Sequence, residues 1–564
     1  MKKIFILLFS IFLLANYSKA QYADNLWLTH YLLNKKFLKN NLLNSNKNLD
    51  ELTDNRPVIN NELIYHSVFF DFHYTITGTD AVNTTDENQN GIPDYIENMA
   101  SVFDSVHKIY QSRGFAMPPP DNSTGGSDNF DVYVCNLDLI SKTVLGYTAL
   151  EDYIGDNPNS KNIHEAYSYS SYMVMRNNYN GFSEAPVNNI KSTAAHEFMH
   201  AIQAGYSIYI INDLWFSEMI AVWAEDYIYP ELNGAIPYLY KFFLNTDVSL
   251  NFNEKYSYPK INNYYGTWIF AKYLTEHTSD TIIKNIYERI ISSNNIILAI
   301  SKELSERWGI TFEQLFRNFI IANAVLESDS SYSPYNYSKA SDYNSFLTKN
   351  GVKRFEKTFN YNSTPINYKS NRDGNGILMH LSSDYIKINS TGNFTITYSP
   401  KKNNLSDIIL LKYGINNKLT IQNSDSINND KIIQVNDNSN NSSYILIVYR
   451  INSNFTDSSS LQYTINIADQ YIGINNNILN KQENISIYPN PIVNDYININ
   501  VNYKVENLNI NIYNLTGDLL YKNTFNNTNQ VKAYISDFPN GLYVITIGDK
   551  KNILKREKLI ICHK

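Results

Sequence analysis

From Glu62 to about Gly351, runs in which apolar residues cluster or alternate (HSVFFDFHYTI, FDVYV, SSYMVMRN) give way to stretches where they recur every third or fourth position (DYIENMASVFDSVHKIY, STAAHEFMHAIQ, LWFSEMIAVWAEDYI, YYGTWIFAKYLTEH, TFEQLFRNFIIANAVLE). A two-residue period lines one side of a strand and a 3.6-residue period one side of a helix, so residues 63–351 are expected to form an α+β domain whose second half is mostly helical. The helical period then stops. Over 353–472, short alternating runs such as DYIKINSTGNFTITYSP, DIILLKYG and SYILIVYRI are separated by Asn, Ser, Asp and Gly, and they predict a β-sandwich. A polar linker, GINNNILNKQEN, leads into a second small all-β unit over 484–564, also expected to be a sandwich. No sustained internal repeat is present.

The N-terminus follows neither pattern. MKKIFILLFSIFLLANYSKAQ joins Lys2 and Lys3 to an apolar run from Ile4 to Ala15 and a small-x-small site at Ser18-Lys19-Ala20, which predicts a signal peptide over residues 1–20. The run is short for a membrane span, and no later stretch holds about 18 apolar residues in succession, so no transmembrane helix is expected in the mature protein. Residues 21–62 are polar and Asn-rich, as in an N-terminal arm or pro-segment. Composition adds little: 43% hydrophobic and 18% charged residues among 564 suit a multidomain globular protein. A net charge of −7 without a basic stripe argues against a nucleic-acid partner. Two distant cysteines, Cys135 and Cys562, leave stability to core burial and bound ions.

The chemistry concentrates in HEFMH. Residues four apart on a helix lie one above the other, so His196 and His200 can offer two imidazoles to one zinc while Glu197 sits where an attacking water needs a base. Chance alone supplies roughly one HExxH per hundred chains holding this many histidines, so context has to decide. Ser192 or Thr193 can cap the helix and Gly205 can end it. A catalytic site needs a third protein ligand. The extended motif HExxHxxGxxH fails, because Gln203 stands at its Gly and Tyr206 at its third His. The helix LWFSEMIAVWAEDYI, capped by Asp213 or Ser217, offers Glu218 as the third ligand. Glu225, two turns along the same face, is the candidate to support it, although position alone allows the two roles to be exchanged. Trp215, Met219, Val222 and Trp223 mark that helix as buried, where an unpaired carboxylate is costly.

HEFMHAIQ followed by WFSEMIAVWAE resembles the gluzincin metallopeptidases, and with the upstream D-x-N-x-N-G-x-P-D it resembles a group of secreted bacterial metalloproteases, over roughly 62–325. The resemblance implies a zincin-like catalytic domain, a catalytic Zn2+ on His196, His200 and Glu218, and Glu197 as general base for peptide hydrolysis. Met219 replaces the Gly of the aminopeptidase pattern and no exopeptidase signature is present, so an aminopeptidase is not implied. An oxyanion donor is expected from Tyr265 or Tyr264, with Tyr265 the first candidate. The strand Tyr172 to Arg176 reads either as the edge that aligns an extended substrate or as an ordinary internal strand.

Residues 86–97, DENQNGIPDYIE, fill the positions of a calcium loop: Asp86, Asn88, Asn90, the Ile92 carbonyl, Asp94 and Glu97, with Gly91 at the turn. Strand-like residues precede it and Pro93 removes an amide, which predicts a strand-loop-helix site for structural Ca2+ rather than an EF-hand pair.

At the C-terminus, Tyr488-Pro489-Asn490-Pro491 and Pro539-Asn540-Gly541-Leu542-Tyr543 resemble the type A sorting domain of the bacterial type IX secretion system, over about 484–564. That implies export through the type IX machinery to the surface or the medium. The expected protein is thus a secreted or cell-surface zinc endopeptidase acting on protein or peptide. The alternatives are an adhesion or glycan-binding protein with a non-catalytic zincin-like domain, its sandwich doing the binding, and hydrolysis of a non-peptide bond.

Overall fold

The computed structural model describes residues 56–161, 163–252 and 264–370, and from 378 to 562 all but 402–405, 414–418, 428–429, 437–441, 452–459, 470–484, 491, 493, 515–517 and 550–552. The signal peptide and all of the N-terminal arm before Arg56 lie outside the described residues. Two compact units are present, one ending at Ile467 and one beginning at Ala468.

The first unit opens on a five-stranded sheet made from β1 (Leu63–His66), β2 (Phe70–Tyr74), β3 (Phe130–Cys135), β4 (Gly146–Gly155) and β5 (Ser168–Arg176), in the order β1-β2-β3-β5-β4. Strands β2, β3 and β5 run parallel, while β1 and β4 are antiparallel edges. The strand containing Tyr172 is therefore internal, and the edge is β4. Alternation divides the sheet: Val132, Val134, Met173 and Met175 enter the main core, whereas Tyr133, Cys135, Tyr172 and Val174 build a smaller cluster on the other face. That second face is pinned by Arg56, which reaches Asp121, Asp131 and both oxygens of Glu151. His73 bridges Asp131 (2.9 Å) and Glu62 (3.1 Å) beside it.

Helix α1 (Asp94–Ser112) follows β2 and buries Ile96, Met99, Phe103, Val106 and Tyr110, the face expected from its spacing. Its Tyr110 hydroxyl donates to the Ala195 carbonyl at 2.7 Å, tying it to helix α2 (Pro186–Tyr206). Helix α2 begins six residues before Ser192, because Pro186 at its first position supplies a helical φ and lacks the amide that would go unpaired there. Neither Ser192 nor Thr193 is a cap, and Gly205 lies inside the last turn. From Thr193 to Tyr206 every residue is buried, so α2 runs through the centre of the fold. Helix α3 (Leu214–Ile228) crosses it, preceded by Asp213 without a side-chain capping bond and with Ser217 inside the helix. Helices α4 (Trp268–Glu276), α5 (Ile282–Ser293) and α6 (Phe312–Val325), the last begun by a capping box of Thr311 and Gln314, join Leu239–Leu244, Ile296–Glu303 and Ala340–Lys349 in this half.

The sandwich belongs to the same unit. One sheet orders Leu419–Asn423, Ser406–Tyr413, Ser442–Arg450, Ser382–Ser390 and Lys357–Tyr361; the other orders Asp425–Ile427, Asp430–Val435, Phe394–Pro400, Tyr463–Ala468 and Ile366–Lys369. Ile386, Leu446 and Val448 meet Phe394, Ile396 and Ile465 between the sheets. On the other face of the first sheet, Tyr385, Ile409 and Ile447 join the helical core, and the Tyr385 hydroxyl donates to the Ile320 carbonyl at 3.1 Å.

The second unit is one continuous five-stranded sheet rather than two separate ones. An 18-residue strand, Tyr496–Tyr513, pairs with Leu519–Tyr534, Ile485–Tyr488 and Gly541–Gly548. Its signature residues hold it together: the Asn490 amide donates to the Lys558 carbonyl (2.6 Å) and its oxygen accepts from the Ile560 amide (3.0 Å). The Tyr543 hydroxyl donates to the Pro539 carbonyl (2.8 Å).

Candidate metal centre

His196 and His200 from α2 and Glu218 from α3 converge. His196 Nε2 lies 3.2 Å from His200 Nε2 and 3.4 Å from Glu218 Oε2, which is 3.5 Å from His200 Nε2. Tetrahedral ligands about 2.0–2.1 Å from a zinc ion stand about 3.3 Å apart, so the triangle has the dimensions of three corners of such a site. All three side chains are buried, and neither Glu218 oxygen has a hydrogen-bond partner among the described residues.

Proton positions strengthen the fit. His196 Nδ1 is 2.8 Å from Glu225 Oε1, which only accepts, so the Nδ1 hydrogen points there. His200 Nδ1 is 2.9 Å from the Gln203 oxygen, whose amide nitrogen donates to the Ser217 carbonyl (2.9 Å) and the Tyr287 hydroxyl (3.0 Å). Both Nε2 atoms thus present lone pairs to each other and to a carboxylate. Three such atoms at these distances repel unless a cation or a proton sits among them. Burial opposes charging His196, but Glu218 and Glu225 raise its pKa well above 6.5. Burial likewise pushes Glu218 up, and His200 and His196 outweigh it, holding the carboxyl at about 2.

Glu218 is the carboxylate that stands with the two Nε2 atoms, while Glu225 lies behind His196, against its Nδ1. Glu225 Oε2 also accepts from the Ser192 hydroxyl at 2.5 Å. Gln203, which breaks the longer histidine motif, here orients His200; its place three residues after His200, on the same helical face, was the available signal. Glu197 is buried, and the Thr148 hydroxyl of edge strand β4 lies 2.8 Å from its carbonyl and 3.0 Å from its Oε2. No sequence spacing points to Thr148. Gly146 lets β4 approach this closely, since a Cβ there would stand 2.8 Å from Thr193 Cγ2.

A cleft runs along this edge, lined by Leu145, Gly146, His196, Glu197, Glu225 and Tyr238 among others. Tyr265 is 3% exposed, and its hydroxyl has no well-formed hydrogen bond among the described residues. Its ring is 5.6 Å from that of Tyr238, the tyrosine that lines the cleft, and 4.5 Å from that of Tyr264. Glu218 helps to hold the Tyr265 hydroxyl neutral, after burial itself.

The 86–97 loop is closed by hydrogen bonds among its own side chains and amides. Asp86 accepts from the Asn90 (3.2 Å) and Gly91 (2.9 Å) amides, and Glu97 closes the loop against the side-chain amides of Asn88 (2.9 Å) and Asn90 (2.7 Å). Asp94 accepts from the Glu87 amide at 3.2 Å, and Ile92 donates its own amide to the Asn90 side chain at 2.8 Å. Oxygen donors of the right kind surround the loop, but its three carboxylates are not gathered as tightly as the 196/200/218 group.

Residues 486–562 match the family described as the secretion system C-terminal sorting domain. The protein is therefore a type IX secretion substrate, destined for the cell surface or the extracellular space, and it engages that machinery through its C-terminal unit. No helix among the described residues is long and apolar enough to cross a membrane. No curated protein matches the chain. Among solved structures, the pre-peptidase C-terminal domain of a Bacillus anthracis collagenase is similar at 15% identity, covering 20% of this chain and 95% of that one, with a TM-score of 0.15. The Salmonella Typhimurium periplasmic lysozyme inhibitor PliG is similar at 14% identity, covering 20% and 97%, with a TM-score of 0.14. The adhesin domain of Epf from Streptococcus pyogenes is similar at 12% identity, covering 36% and 77%, with a TM-score of 0.13. Likenesses of this size carry no statement about activity.

Proposed function

We propose that the protein is a secreted or cell-surface zinc-dependent endopeptidase. The reading rests above all on Glu218, a wholly buried carboxylate with no hydrogen-bond partner among the described residues, facing two imidazole nitrogens at 3.4 and 3.5 Å. His196, His200 and Glu218 would hold the zinc, which when bound supplies a Lewis acid and lowers the pKa of a water at its open position. Glu197 is the base that takes the proton of the attacking water and returns it to the leaving amine, with the Thr148 hydroxyl fixing its carboxylate. Gly146, the first residue of edge strand β4, lines the cleft with its backbone turned away from β5, and this supports an extended peptide rather than another substrate. Tyr238 and Tyr265 are the candidate donors to the developing oxyanion. The 86–97 loop is assigned to structural calcium; a thermal midpoint that rises with calcium in the wild type but not in Glu97→Gln supports this, and an equal response opposes it.

The test of the activity is metal analysis together with peptide-library digestion by the wild type and Glu197→Gln. One zinc per chain in both, with cleavage lost in the variant, is expected. A zinc-free wild type, or equal cleavage by both proteins, overturns the proposal.

A further inference from the structure

Lys339, just before the helix Ala340–Lys349, reaches back 106 positions to the turn that follows α3. Its ammonium donates to Asp226 Oδ1 at 2.7 Å, to Asn233 Oδ1 at 3.0 Å and to the Pro230 carbonyl. Asp226 is wholly buried and also holds Lys272 at 2.9 Å, so its charge does not depend on Lys339 alone. Lys339 thus fastens the turn to the end of α3.

That turn is a wall of the cleft, lined by Leu232, Asn233 and Gly234. Gly234 permits the close approach: a Cβ there would stand 3.3 Å from Ser192 Oγ and 3.5 Å from Glu225 Oε2, the pair behind His196. Asn233 beside it has a φ of 55°, a left-handed conformation that asparagine tolerates, and it is exposed.

The lysine also settles which way the Asn233 amide faces. An ammonium only donates, so the atom it touches at 3.0 Å is the carbonyl oxygen, and the NH2 takes the other branch. Neither Nδ2 hydrogen has a partner among the described residues. Two oriented donors therefore stand free on a residue that lines the cleft, where a peptide passing His196 and Glu197 carries a carbonyl at every residue.

We infer that Asn233 is a substrate-binding residue: its side-chain N–H groups donate to a backbone carbonyl of the bound peptide, and Lys339 is the residue that positions it. The inference rests on the endopeptidase reading of the cleft.

The test is steady-state kinetics on one peptide taken from the library digestion, with circular dichroism verifying each fold. The proteins are wild type, Asn233→Ala, Asn233→Asp, Lys339→Met and the double variant Asn233→Ala/Lys339→Met. Asn233→Asp separates binding from structure, because its carboxylate keeps the bond to Lys339 while an acceptor replaces the donor. Losing one hydrogen bond to the bound chain is expected to raise KM about tenfold in Asn233→Ala with kcat little changed, and at least as far in Asn233→Asp. Lys339→Met is expected to raise KM as well, and the double variant no further than Asn233→Ala. Wild-type KM in a folded Asn233→Asp protein overturns the inference, since a purely structural bond survives that change. Additive effects in the double variant overturn the part given to Lys339. A wild type that cleaves no peptide overturns the endopeptidase reading, and the role of Asn233 with it.

Discussion

Replacing Glu225 by alanine removes the acceptor that holds the His196 hydrogen at Nδ1 and so turns Nε2 toward His200 and Glu218, where the proposed zinc would sit. The bond is 2.8 Å long, buried, and made to a carboxylate that is itself fixed by Ser192 at 2.5 Å. A hydrogen bond to a charged group contributes about 1.5–3 kcal/mol. At about 1.4 kcal/mol per factor of ten, its loss corresponds to roughly a tenfold to hundredfold weaker zinc affinity, the range seen when supporting partners of zinc-bound histidines are removed. Competition with a chromophoric chelator at fixed pH measures it, with thermal unfolding of the metal-free protein as the control for folding. Glu225→Gln keeps an acceptor and is expected to fall between alanine and wild type. Ser192→Ala, which removes one of the carboxylate's two contacts, is expected to cost less than Glu225→Ala. Unchanged affinity in a folded Glu225→Ala protein would refute the assignment of Glu225 as support for His196, and with it the proton positions deduced at the centre.

Thr148→Val removes the hydroxyl beside Glu197 and is expected to lower kcat about tenfold with zinc content unchanged; steady-state kinetics with a peptide substrate and metal analysis measure both. His73 provides a pH signature away from the centre. Burial lowers its pKa, but Asp131 and Glu62 outweigh burial and hold it above the ordinary 6.5. The folded protein thus binds this proton more tightly than the unfolded chain does. Its contribution to stability is complete below about pH 6.5 and lost as pH rises through the folded-state value. Urea unfolding should show the gap between wild type and His73→Gln shrinking as pH rises above about 6.5, whereas a constant gap contradicts the ion network. Removing 468–564 is expected to leave the protein in the periplasm with its zinc intact, measured by cell fractionation and metal content.

The grouping of the three side chains at the centre was legible wherever it lay along a helix. His196 and His200 follow from their four-residue spacing, and Glu218 from an apolar helix in which a carboxylate stands out. Contacts made across the fold were not legible. Thr148 reaches Glu197 only because β4, earlier in the chain than β5, lies outside it in the sheet, an inversion that alternation within each strand does not encode. For the same reason the strand at Tyr172 could be read as edge or interior. Tyr238 comes to the cleft from a short turn segment with no periodicity. The first turn of α2 went unread because PVNNIK has no apolar spacing, although Pro186 is itself a helix-start signal. In the C-terminal unit the turn motifs were visible, but not that Tyr496–Tyr513 is one long strand joining both halves of a single sheet.

The most direct test of the central claim is anomalous scattering at the zinc absorption edge from crystals of the zinc-loaded protein. The account predicts one strong peak bonded to His196 Nε2, His200 Nε2 and a Glu218 oxygen at about 2.0–2.2 Å. Absence of a peak there, or zinc bound with Glu218 turned away and Glu225 ligating in its place, would contradict it.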